Sequence, residues 1–91
     1  SDKNLKKDRK KADPKAATLA IESMPVEKWK YDEKKAPELA DGKEHVGPMA
    51  QDYAKHVGGD GKTIDLGSAV GLVMASQKDI ADRLKKLEKQ A

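Results

Sequence analysis

Leu66, Val73, Ile80 and Leu87 recur every seven residues, and Val70, Gln77, Leu84 and Ala91 each follow one of them by four. Spacings that alternate between four and three return to one stripe of an α-helix, so the two sets occupy the a and d positions of a heptad repeat. The pattern predicts a single helix from near Asp65 or Ser68 to the last residue. Its apolar stripe needs a partner, either the rest of its own domain or the same stripe on another copy. The regular period from 66 to 87 favours self-association in a coiled-coil-like bundle. Lys78, Asp79, Asp82, Arg83, Lys85, Lys86 and Glu88 lie between the seams, where charge suits solvent and pairing between chains. Gln77 at a core position gives up stability and helps fix register. Gly67 and Gly71 predict a close backbone approach near the helix start, at a cost in helix propensity. The core residues are mixed, so the repeat alone is compatible with two, three or four chains.

Composition sharpens the need for a partner. Leu, Ile and Val supply only 15 of 91 residues, and there is no Phe. That is below the level of about one fifth under which chains tend to disorder. The 19 basic and 16 acidic residues nearly cancel to +3, so the second mark of disorder, a large net charge, is missing. A chain of this length forms one domain, residues 1–91, and buries a modest share of its surface. It has no Cys, hence neither a disulfide nor a thiolate metal site. Oligomerisation is the remaining way to gain stability. The basic residues crowd the N-terminus, at Lys3, Lys6, Lys7, Arg9, Lys10, Lys11 and Lys15. No aromatic platforms alternate with them, which argues for a solvated, partly mobile segment and against a nucleic-acid partner. No apolar run is long enough to span a bilayer, so no membrane partner is expected.

Along the chain, residues 1–12 form a polar opening segment. Asp13-Pro14 reads as a helix start, with Asp as N-cap and Pro in the first helical position. The helix runs through Lys15–Met24, with Ala17, Ile21 and Met24 on one face and Leu19 beside it, and Pro25 ends it. Val26–Tyr31 alternates as a half-buried strand in which Trp29 anchors a core. Residues 32–44 are a charged loop. His45–Gln51 is a short extended piece running into a helical turn over Ala50–Val57. Gly58-Gly59-Asp60-Gly61 is a turn, and Lys62–Asp65 reads as a short strand with Ile64 inward. Residues 13–65 thus hold a helix and short strands, and residues 66–91 the oligomerisation helix. The fold class is α+β, mainly helical.

Several chemical motifs fail on spacing. Gly61-Lys62-Thr63 resembles the end of a phosphate-binding loop, but the glycine required five residues earlier is His56. His45 and His56 lack partners at metal-ligand spacing, which leaves them structural or surface roles. Asp60-Gly61 lacks the other carboxylates of a calcium loop. No cofactor or metal is expected. One pair remains, Ser1 with Lys6 five positions on. A serine hydroxyl is a weak nucleophile until a base removes its proton, and a lysine can be that base once desolvation or nearby positive charge lowers its pKa. Lys3, Lys7, Arg9 and Lys10 supply such charge. In a lysine-rich chain this spacing alone carries almost no weight.

The chain resembles the C-terminal intramolecular chaperone domain of phage endosialidases, tailspikes and tail fibres. Ser1-Asp2-Lys3-Asn4-Leu5-Lys6-Lys7 is similar to the family's SD-x-x-hydrophobic-K start. Met24-Pro25-Val26 with Trp29 and Tyr31 resembles its helix-to-strand passage, and His45-Val46-Gly47-Pro48-Met49-Ala50-Gln51 its central signature. Thr63-Ile64-Asp65 and the ending Leu84-Lys85-Lys86-Leu87-Glu88 resemble its close. Where the family has aliphatic residues after the opening motif, this chain has Arg9-Lys10-Lys11-Ala12.

The resemblance implies a homotrimer that registers and assists the folding of an upstream β-rich fibre of the same precursor. It implies an autoproteolytic serine–lysine endopeptidase acting once in cis, with Ser1 as nucleophile and Lys6 as general base. Cleavage falls just before Ser1, by an ester intermediate or by a water that Ser1 positions. Assembly takes place in the host cell cytoplasm, and the released domain is absent from the mature fibre. A chain beginning at Ser1 fits the spent product. The other function class is a non-catalytic trimerisation or structural module of a fibre protein.

Overall fold

Asp13 and Pro14 start the first helix. The Asp13 Oδ1 accepts the Ala16 N–H at 3.1 Å, satisfying one of the free donors at a helix start. In the computed structural model, which describes residues 1–91, helix α1 spans Pro14–Ser23 and Pro25 follows its end. Strands β1 (Glu27–Trp29) and β2 (His45–Gly47), helix α2 (Ala50–His56) and helix α3 (Leu66–Gln90) complete the fold. The chain is mainly helical with one small sheet, as expected. It divides into two compact units, Ser1–Ile21 with Gly67–Ala91, and Glu22–Leu66.

In the first unit α1 touches α3. Ala17 and Thr18 are buried on α1, and Ala75 and Ser76 on α3. Ile21 is half-buried and Leu19 is exposed. On α3 Ala75 lies opposite the a and d stripe, while Ser76, three residues after Val73 and four before Ile80, lies at the stripe's edge. The long helix therefore packs within its own chain through a face beside the stripe. Most of its charged residues are exposed, and two pairs form along the helix. Asp79 pairs with Arg83 at 3.2 Å and Asp82 with Lys86 at 3.1 Å, within the helix and in the favourable order, acid before base at i and i+4. Around Gly71 an added Cβ would meet nothing within 4 Å, so the predicted close approach does not occur there within the chain.

In the second unit β1 and β2 pair antiparallel, with Glu27 opposite Gly47, Lys28 opposite Val46 and Trp29 opposite His45. The expected strand over 26–31 is shortened to three residues. Met24 is buried just past the end of α1, and Tyr53 is buried on α2. The glycine turn forms as predicted, with positive φ at Gly58, Gly59 and Gly61. The strand predicted at Lys62–Asp65 does not form. Instead the Asp60 carboxylate draws the chain into a turn by accepting the Lys62 N–H at 2.8 Å and the Thr63 N–H at 2.9 Å. Those backbone donors are no longer free for a ladder. Ile64 is half-buried.

No large side chain anywhere is completely buried. The sparse supply of Leu, Ile and Val gives a thin core, and much of that supply stays at the surface. No helix is long and apolar enough to cross a membrane.

Candidate active site

Ser1 and Lys6 stand on either side of a single turn of 3-10 helix, Lys3–Leu5, which the sequence did not announce. Asp2 and Lys6, the residues flanking this turn, both have extended backbones. The Asp2 Oδ1 accepts the Asn4 N–H at 2.9 Å. The Leu5 N–H donates to the Asp2 carbonyl and the Lys6 N–H to the Lys3 carbonyl, each at 3.1 Å. Without the turn, the five steps from Ser1 to Lys6 could extend to about 17 Å. Within it each residue advances only about 2 Å. The turn thus shortens the path between Ser1 and Lys6. Every residue from 1 to 13 is exposed. Just beyond, Asp8 has φ 54°, a left-handed conformation that redirects the chain after the pair.

Helix α3 carries the second candidate surface. Leu66, Val70, Val73, Ile80, Leu84 and Leu87 are all exposed, from 50% at Ile80 to 76% at Leu66. These are the apolar residues of the heptad stripe other than Ala91. An apolar stripe broken only by Gln77, along a helix of 25 residues, is the kind of surface that a second helix covers.

A third cluster lies in the second unit. The rings of Trp29 and His45 stack with centroids 4.9 Å apart, and Tyr31 meets both edge-on. The Asp41 carboxylate lies 3.1 Å from His45 Nε2. The Lys43 backbone N–H, and after it the His45 ring, hold the Asp41 carboxyl below its ordinary pKa. Trp29, Tyr31, Met49, Ile64 and Leu66 line an open hollow of about 510 Å³. His45 therefore has the structural role that its spacing suggested. Its partner Asp41 was missed, although an acid four residues before a histidine, next to Gly42, was a visible signal.

None of the curated proteins compared with this chain matches it. A family model for peptidases, described as Chaperone of endosialidase, matches residues 1–59. The matched stretch contains Ser1, Lys6, α1, the strand pair and α2, and it stops before α3. It covers well over half of the 91 residues, and so this chain belongs to the Chaperone of endosialidase family of peptidases.

Proposed function

We propose that this chain is the self-cleaving C-terminal chaperone of a phage tailspike or tail-fibre precursor. Three copies join through the heptad stripe of α3 and bring three upstream β-rich segments into register. Each copy then cuts the bond before Ser1 and leaves. The carrying observation is the position of Ser1 and Lys6 across one capped turn, inside the segment matched by the peptidase family.

Joining three chains makes their intertwining intramolecular and raises the effective concentration of the partners. Non-local β pairing is slow because register must be found before contacts reward it. Removing the chaperone afterwards leaves a fibre whose persistence is kinetic. Along the ester route, Lys6 Nζ takes the Ser1 hydroxyl proton while Oγ attacks the preceding carbonyl carbon. The carbon–nitrogen bond breaks, the Ser1 nitrogen receives the proton and leaves as an amine, and an ester to Oγ remains. Water opens the ester to an upstream carboxylic acid and restores the hydroxyl. Burial of Lys6 on assembly would favour its neutral amine and so time the cut.

The test is a longer precursor, with an upstream segment joined to Ser1, followed by mass measurement. The parent is cut before Ser1, whereas Ser1→Ala and Lys6→Ala stay intact. Hydroxylamine traps the ester if it forms, and a water positioned by Ser1 leaves nothing to trap. A dilution series slows cleavage as trimers dissociate, and equal rates in demonstrated monomers refute the timing. A stable, uncut parent trimer would instead identify a non-catalytic trimerisation module.

A further inference from the structure

We infer that Asp2 is a positioning residue for the cleavage, holding by its carboxylate the turn that sets the spacing between Ser1 and Lys6. This role rests on the reading of Ser1 and Lys6 as the reacting pair. The turn has little else to support it. It is three residues long, and Leu5 at its end is 87% exposed, so no packing holds it. A nucleus of one turn is unfavourable in isolation because several dihedrals are fixed for each hydrogen bond gained. The bond from the Asn4 N–H to Asp2 Oδ1 ties down a donor with no partner inside the turn, at the position where Asp, Asn and Ser are the preferred caps.

Charge gives a way to separate capping from electrostatics. A cap acts through a hydrogen-bond acceptor, and its neutral counterparts supply one without the charge. If Asp2 served through its charge, removing that charge would alter the rate in its own right. If it serves as a cap, the uncharged caps Asn and Ser will do.

In the precursor, Asp2→Ala is expected to cut about fivefold more slowly or worse, from the lost cap, with an unchanged oligomeric state. Asp2→Asn and Asp2→Ser restore the parent rate or exceed it. In the released chain, the amide shift of Asn4 moves toward its unstructured value in Asp2→Ala and stays folded in Asp2→Asn. An Asp2→Ala precursor that keeps pace with a cleaving parent overturns this role alone. So does an Asp2→Asn precursor as slow as Asp2→Ala. A parent that is never cut, or a Ser1→Ala precursor that is, overturns the reacting pair and this role with it.

Discussion

The hydroxyls of Thr18 and Ser76 meet 3.0 Å apart inside the contact between α1 and α3, where the two residues are only 4% and 5% exposed. Thr18 also lies 3.3 Å from the Pro14 carbonyl one turn earlier. Ala17 and Ala75, each next in sequence to one member of this polar pair, are buried as well. Removing the Thr18 hydroxyl takes this partner from the buried Ser76 hydroxyl, whereas removing that of Ser76 leaves Thr18 its bond to the Pro14 carbonyl. Thr18→Val should therefore destabilise the chain by about 1–3 kcal/mol, and Ser76→Ala by less. The double variant should lose less than the sum of the two. A double-mutant cycle by chemical unfolding reads this coupling directly, and full additivity would show that the pair is not coupled.

Leu84→Asp places a charge in the exposed heptad stripe, two turns along α3 from Ser76 and outside its contact with α1. If the stripe holds copies together, sedimentation at a fixed concentration should show the oligomer lost while circular dichroism retains the helix of each chain. Fully burying one leucine is worth about 1.5–3 kcal/mol, and a trimer loses three at once. The control is Lys86→Asp, which breaks only the exposed pair with Asp82 and should leave the oligomer intact. Equal effects of the two substitutions would count against the stripe as the interface.

The turn after α2 should loosen in acid. The Thr63 N–H, then the Lys62 N–H, hold the Asp60 carboxyl below its ordinary value. Its folded pKa is thus below the unfolded one of about 3.9. The sign follows from linkage: the stabilisation is complete above the unfolded value and is lost as pH falls through the folded value. A carboxyl titration followed by NMR should place the Asp60 midpoint below that of a free aspartate. Asp60→Asn should keep the turn and remove this acid sensitivity, and a midpoint at or above the free value would refute the assignment.

Trp29 is the only tryptophan, and it reports on the cross-strand pair with His45. His45→Ala should uncover the indole face, shift its emission to the red and weaken the short strand pair. The same change removes one of the partners that lower the Asp41 carboxyl, so the Asp41 midpoint should rise while the bond from Lys43 remains. Unchanged emission in His45→Ala would mean that the stack contributes nothing to the burial of Trp29.

Much of the architecture was legible because it depends on neighbours in sequence. Asp13-Pro14 and Pro25 fixed the ends of α1 through capping and a missing N–H. The heptad fixed the extent of α3, and the glycines fixed the turn at 58–61. The residues 62–65 misled because their pattern of side chains suited a strand, while Asp60 had already claimed two of the backbone donors. The opening segment is solvated, as its charge suggested. What its charge did not announce is the turn that Asp2 makes by bonding to Asn4.

By itself the sequence determined which segments become helices, where they stop and that α3 carries an apolar stripe. It also held Ser1 and Lys6 in the opening of a chaperone-like chain. Only the tertiary structure decided which face of α3 the chain keeps for itself. Heptad spacing marks a stripe but not its partner. The buried meeting of Thr18 with Ser76, 58 positions apart, shows that α1 takes the face beside the stripe and leaves the stripe uncovered. Local rules set each helix because they act over three or four residues. The pairing of distant surfaces depends on how all of them compete for one another, and no local spacing records that.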